Sequence, residues 1–353
     1  MESISLCMIV KNEEKVIARC LESVIGLVNE IIVVDTGSMD ETKNIAQQFG
    51  AKIYDFKWNN NFSNARNYAL EQSTSSWNIV LDADEYIIND CKEELLKFIN
   101  NEVAIGRIEI RSKFIQNNEV NYDKAFVSRV FPTGLTYNGR IHEQLVSKLP
   151  RKNIPIVVGH DGYYLTDKSN RNIPLLLQEV KSKPNDPYYL YQLAKEYRGN
   201  KNYDLANQWF EKSYALLNGN EIYYPSLVVI YLYTLKEVAD LNLAIKIIKD
   251  NQTRLVQLPD FHFIRALLYM DLVLSDTNKY INLFPEIEKC YLKCIELGDS
   301  EHYDSVVGTG SFAALYNLGT FYEVTGQINK AKECYSRASE YNYKPAINRL
   351  DSL

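Results

Sequence analysis

Trp77-Asn-Ile-Val-Leu-Asp82-Ala-Asp84-Glu85 is an apolar run that ends abruptly in three acidic residues. Ile79, Val80 and Leu81 suit a strand covered on both faces. Asp82, Asp84 and Glu85 follow where the carboxyl end of that strand leaves the sheet. In an open α/β sheet this edge is where ligands bind. Carboxylates placed there suit a hard cation, and a hard cation suits a diphosphate. The stretch therefore predicts an α/β sheet with a metal-assisted nucleotide site at its edge.

Working outward, residues 1 to about 165 alternate strand and helix signals. Ile4-Ser-Leu-Cys-Met-Ile-Val10 reads as a first strand. Residues 13–25 carry helical apolar spacing at Val16, Ile17, Cys20, Leu21 and Val24. Glu30-Ile-Ile-Val-Val-Asp35 is a second strand and Ala51-Lys-Ile-Tyr-Asp55 a third. Ser38 or Asp40 is placed to cap a helix to about residue 49, and Ser63 one to about residue 71. The β-α-β-α-β order predicts a doubly wound, mostly parallel sheet. Three strand ends turn polar: Val10-Lys11-Asn12-Glu13, Asp35-Thr36-Gly37-Ser38 and Asp82-Ala83-Asp84. In a parallel sheet they lie side by side, with helix amino termini behind them favouring anionic groups. Residues 107–111, 126–131 and 154–158 read as short strands of a mixed extension that closes over the ligand.

From about Ser169 the pattern is helical. Leu190, Leu193, Ala194, Tyr197, Ala206, Phe210 and Ser213 match Leu315, Leu318, Gly319, Tyr322, Ala331, Tyr335 and Ala338 at a constant offset. These are the small and large positions of a tetratricopeptide helix pair. A weaker third copy runs through Val228, Leu232, Leu235 and Ala244. Two domains are expected, 1–168 and 169–353, which suits a chain of 353 residues. Repeat helices could also pair two copies of the chain into a homodimer.

The chain has 39 Lys and Arg against 45 Asp and Glu, a net charge of −6, which disfavours a general nucleic-acid binder. No run of about 18 apolar residues predicts a transmembrane helix. Met1-Glu-Ser-Ile-Ser lacks the basic-then-apolar form of a secretory leader, so a cytoplasmic location is expected. Cys7, Cys20, Cys91, Cys290, Cys294 and Cys334 are scattered as in a reduced protein. Cys290 and Cys294 share a helix face and read as core residues.

Ser5-Leu-Cys-Met-Ile-Val-Lys-Asn-Glu-Glu14, the stretch from Glu30 through Asp35-Thr-Gly-Ser to Thr42, Phe62-Ser-Asn-Ala-Arg-Asn67 and Leu81-Asp-Ala-Asp-Glu85 together resemble family 2 glycosyltransferases of the GT-A fold. The resemblance covers roughly residues 4–165. The glycine-rich dinucleotide fingerprint is missing, which argues against an NAD or FAD enzyme. The resemblance implies a UDP-sugar donor, with Val10, Asn12, Glu13, Asp35, Arg66, Asp82 and Ala83 as donor-binding positions. Many relatives carry a second Asp where this chain has Thr36. Asp84 would be a ligand to Mg²⁺ or Mn²⁺.

Tyr137-Asn-Gly-Arg-Ile-His142-Glu143-Gln144 and Gly159-His160-Asp-Gly-Tyr163 hold two of the four histidines. A GT-A domain followed by tetratricopeptide-like helices is similar to sublancin-type peptide S-glycosyltransferases and to some lipopolysaccharide-core glucosyltransferases. That similarity implies His160 as a second metal ligand, Glu143 as general base and His142 as an additional site residue. The expected activity is inverting transfer of a hexose to a peptide or protein acceptor, such as a Cys or Ser of a bacteriocin-like peptide. A surface polysaccharide or lipopolysaccharide acceptor is the alternative enzyme reading. A non-catalytic repeat scaffold is the alternative of another class, and the intact Asp82/Asp84 pair argues against it.

Overall fold

The computed structural model describes residues 2–116, 119–161, 168–300 and 303–353. The chain divides into two compact units, Met1–Pro184 and Asn185–Leu353. Each has its own hydrophobic core.

In the amino-terminal unit, β1 (Ile4–Val10), β2 (Glu30–Asp35), β3 (Lys52–Asp55) and β4 (Trp77–Val80) are parallel neighbours in the order β3-β2-β1-β4. The chain steps outward from β1 to β3, then returns to the other side of β1. The switch point between β1 and β4 is where such a sheet opens a crevice. The connecting helices are α1 (Ile17–Val24), α2 (Thr42–Gln48) and α3 (Phe62–Glu71).

Two starts differ from expectation. The first helix begins at Ile17, not near Glu13, because Asn12 adopts a left-handed φ of 56°. The N–H groups of Glu13 and Glu14 then donate to Thr42 Oγ1 and Asp40 Oδ2 rather than joining a helix. The cap of α3 is Asn61, whose side chain accepts from the Asn64 N–H; Ser63 lies within the first turn and donates to Asn61. Of the two candidates before α2, Asp40 accepts from the Thr42 N–H, while Ser38 accepts from the Asn12 N–H.

After β5 (Glu85–Ile87) and α4 (Lys92–Asn101), the expected short strands are longer: β6 (Ile105–Gln116), β7 (Glu119–Pro132) and, beyond the small hairpin β8 (Thr136–Asn138) and β9 (Gln144–Val146), β10 (Arg151–His160). β7 pairs antiparallel with β4, extending the order as β4-β7-β6-β10-β5. Helix α5 (Ser169–Ser182) closes this unit. The boundary thus falls after Pro184 rather than at 168. The reason is local: Glu179 Oε1 accepts from the Arg140 N–H and Arg171 lies over the Phe62 ring, tying α5 to the amino-terminal core.

The carboxyl-terminal unit is helical: α6 (Pro187–Gly199), α7 (Tyr203–Ala215), α8 (Tyr224–Glu237), α9 (Leu241–Asn251), α10 (Pro259–Ser275), the short α11 (Thr277–Tyr280), α12 (Phe284–Leu297), α13 (Phe312–Val324), α14 (Ile328–Ser339) and α15 (Lys344–Leu350). The matching positions fall on α6–α7 and α13–α14, and the third copy on α8–α9. The link inside each pair holds one residue with positive φ at the same place: Lys201 (58°), Ala239 (57°) and Gly326 (78°). Asn202 and Asp240 then cap the second helix of their pairs. At Gly319 a Cβ would come within 2.7 Å of the Tyr335 ring, so the small residue sets how closely α13 and α14 approach. These features make the unit tetratricopeptide-like. Cys290 and Cys294 are buried on α12, and the Cys294 thiol donates to the Pro259 carbonyl at 3.3 Å. No helix among the described residues is long and apolar enough to cross a membrane.

Candidate active site

The carboxyl ends of β1, β2 and β4 assemble the polar residues that the sequence singled out. Register does the placing. Val10 pairs with Asp35, and Cys7 with Val80, so the turns after the three strands share one edge. The Val10 carbonyl accepts from both the N–H and the hydroxyl of Thr36. Asn12 Oδ1 accepts from the Met39 N–H at 2.8 Å, so this side chain fastens the loop after β2. Asp35 is 2% exposed. Its Oδ1 accepts from the N–H groups of Gly37 and Ser38, while its buried Oδ2 has no partner among the described residues.

The turn after β4 is held by a closed set of bonds. Glu85 Oε2 accepts from the Asp82 N–H at 2.8 Å. Arg129 Nη2 donates to Glu85 Oε1 at 2.8 Å and to Asp82 Oδ2 at 3.0 Å. Arg66 Nη2 donates to Asp82 Oδ1 at 2.7 Å, and Arg66 Nε donates to Glu143. Ala83 is buried between the two aspartates. Burial pushes the Asp82 carboxyl up, but the two guanidiniums outweigh it and hold it well below the usual carboxylate range. Glu85 keeps a raised pKa because burial outweighs the attraction of Arg129. Arg66 therefore braces the acidic turn and links it to Glu143. Asp82 has both oxygens engaged by arginine.

Arg129 was not among the expected residues. Its strand, Phe126-Val-Ser-Arg-Val-Phe131, pairs Val130 with Ile79, which sets Arg129 beside the turn after β4. A lone arginine among apolar strand residues was the signal in the sequence, and the structure buries about nine-tenths of its surface.

Asp84 faces the other way. Its Oδ2 lies 3.1 Å from Lys168 Nζ and 3.6 Å from His160 Nε2. His160 is brought there by the antiparallel pairing of β10 with β5, where it stands opposite Glu85; Ser112 Oγ is 3.0 Å from its Nδ1. Gly159 permits this approach, since a Cβ there would meet the Tyr86 ring at 2.6 Å. Burial raises the Asp84 pKa, but His160 and Lys168 more than offset it. For His160, burial pulls down and the nearby Asp84 carboxylate pulls up, and the carboxylate wins. Tyr163 of the same motif lies outside the described residues. His142 adopts a left-handed φ of 49° immediately before Glu143, which bends the chain at that point.

Among the described residues no group of three or more His, Cys, Asp or Glu side chains forms a cage for a metal. Asp84 and His160 form a pair of one oxygen and one nitrogen donor, to which a divalent ion would add waters and substrate phosphates. Burial first, then Asp84, pushes the Glu13 carboxyl up to about 7 against the opposing pull of Lys168.

Residues 5–169 match the family described as glycosyl transferase family 2. The match covers the sheet-bearing unit, a little under half of the chain. The SPbeta prophage-derived glycosyltransferase SunS of Bacillus subtilis is 28% identical over 288 residues, 76% of this chain and 68% of that protein. A TPR repeat-containing protein of Synechococcus elongatus is 41% identical over 131 residues, 37% of this chain and 32% of that protein. The chain thus spans about a third of the length of one relative and about two-thirds of the other. Among solved structures, a thermophilic TPR protein of Thermus thermophilus is 17% identical, with a TM-score of 0.39 over 52% of this chain and 90% of that one.

Proposed function

We propose that the chain is a metal-dependent, inverting glycosyltransferase that moves a hexose from a UDP-sugar to a peptide or protein acceptor. The observation that carries this reading is Asp35. A buried carboxylate oxygen without a donor among the described residues is costly to leave unmet, and it stands at the end of β2, the strand beside β1 on the side away from β4. An N–H of a nucleobase or a hydroxyl of ribose would meet it. The family 2 match supports a nucleotide-sugar donor. The paired Asp84 and His160 support a divalent ion beside its diphosphate.

The residues have separable tasks in this reading. Asp35 and Glu13 receive the nucleoside. Arg66 and Arg129 fix Asp82, and through it the geometry of Asp84. A divalent ion at Asp84 would supply positive charge against the departing diphosphate. The acceptor's sulfur or oxygen forms a bond to the anomeric carbon from the face opposite the breaking carbon–oxygen bond. Its proton passes to Glu143. Arg66 holds one carboxylate oxygen of Glu143, leaving the other as the proton acceptor. The tetratricopeptide-like unit would hold the acceptor in an extended conformation.

The test is incubation of the whole protein with UDP-glucose and other UDP-sugars, Mn²⁺ or Mg²⁺, and Cys- and Ser-containing peptides, followed by mass spectrometry. A hexose mass increment that depends on the divalent ion and is lost in Glu143→Gln supports the reading. No turnover of any UDP-sugar, with UDP binding also absent, contradicts it.

A further inference from the structure

Lys168 is in an unusual place for a lysine. It occupies the position just before α5, where the positive end of the helix dipole disfavours a cation. Its carbonyl accepts from the N–H groups of Arg171 and Asn172, so the backbone of this residue is fixed by the helix start. Its ammonium reaches Asp84 Oδ2 at 3.1 Å, with the lysine side chain 25% and the aspartate side chain 12% exposed. It also counts among the charges that act on Glu13, at the end of β1. Lys168 therefore acts on residues at both sides of the β1/β4 switch point. That is the position in which the donor reading places a diphosphate.

Asp84 is also the carboxylate that the donor reading gives to a divalent ion. A lysine and a divalent ion cannot both hold the same oxygen at close range without strong repulsion. Once the ion takes Asp84, the ammonium must move. A flexible four-carbon stem allows that movement, and an ammonium readily binds phosphate as a point charge. We propose that Lys168 is a tethered cation of the donor site. It neutralises Asp84 when no donor is bound and turns to the diphosphate oxygens when a divalent ion replaces it. This rests on the donor reading above and adds a residue outside the four sequence stretches that carry the family resemblance. In the transfer step its charge would act on the leaving diphosphate as the anomeric carbon–oxygen bond breaks.

The proposal has a two-sided signature. Removing the lysine should help the metal alone and harm the metal-bound diphosphate. The experiment titrates the full-length protein with Mn²⁺, following free Mn²⁺ by electron paramagnetic resonance, and then titrates UDP in saturating Mn²⁺ by calorimetry. Wild type, Lys168→Met and Lys168→Arg are compared. Loss of one nearby charge is expected to tighten Mn²⁺ alone about threefold to tenfold in Lys168→Met and to weaken UDP about tenfold. Lys168→Arg should restore UDP affinity. If Lys168→Met matches wild type in both titrations, or weakens both, the proposal is overturned while the donor reading stands. If wild type binds neither Mn²⁺ nor UDP, the donor reading fails and the proposal falls with it.

Discussion

Asp82 in one unit and Asp260 in the other hold their carboxyls on opposite terms. In the amino-terminal unit, Asp82 is gripped by Arg66 and Arg129 and its pKa is held well below the usual range. In the carboxyl-terminal unit, Asp260 is 3% exposed, accepts from the Val306 N–H at 3.0 Å, and leaves Oδ2 without a partner among the described residues. Burial pushes its pKa up to about 7. The first unit spends guanidiniums to keep charge at a sheet edge. The second tolerates a carboxyl that is most at ease protonated. The contrast separates a charged turn held at a sheet edge from a packed helical core in which charge is incidental.

The largest stability effect is expected where the grip is released. Arg129→Met removes the cation shared by Asp82 and the buried Glu85, and should cost about 3–5 kcal/mol near neutral pH. Urea denaturation would measure it. The loss should shrink toward pH 5, because Glu85 can then take up a proton. An equal loss at both pH values would show that packing, not charge, is what Arg129 provides.

Asp260 gives the converse. Its folded pKa lies above its ordinary value near 3.8, so the folded state binds more protons between that value and about 7. Stability of this unit therefore falls as pH rises through that window and levels off above it. Asp260→Asn should flatten the dependence and gain roughly 2 kcal/mol at pH 8. An unchanged pH profile in the variant would remove Asp260 as its cause.

Smaller effects test the local rules. Gly319→Ala drives a methyl toward the Tyr335 ring and should cost about 1–2 kcal/mol despite the better helix propensity of alanine. A gain in thermal stability would mean that the two helices can part at no cost. Asn61→Ala removes the cap of α3 and should cost about 1 kcal/mol, with Ser63→Ala costing less. The reverse order would restore Ser63 as the cap.

These comparisons also show what the sequence could reveal. The strand ends after β1, β2 and β4 were legible because each is a local change from apolar to polar, and parallel order aligns them. The repeat was legible because its small and large positions recur at one offset. Arg129 and Lys168 were not. Arg129 reaches the turn only through the antiparallel pairing of β7 with β4, and Lys168 only through the placement of α5. α5 has helical grammar like the repeats, but Glu179 and Arg171 tie it to the amino-terminal unit. Asn61 and Ser63 are both good caps by type. Backbone geometry chose between them, with Asn61 extended at φ −147°.

UDP affinity with and without Mn²⁺, in wild type and Asp84→Ala, tests the role of the acidic turn most directly. Wild type should bind UDP at least about tenfold more tightly when Mn²⁺ is present, and folded Asp84→Ala should gain nothing from the ion. An equal gain from Mn²⁺ in both proteins would contradict the account.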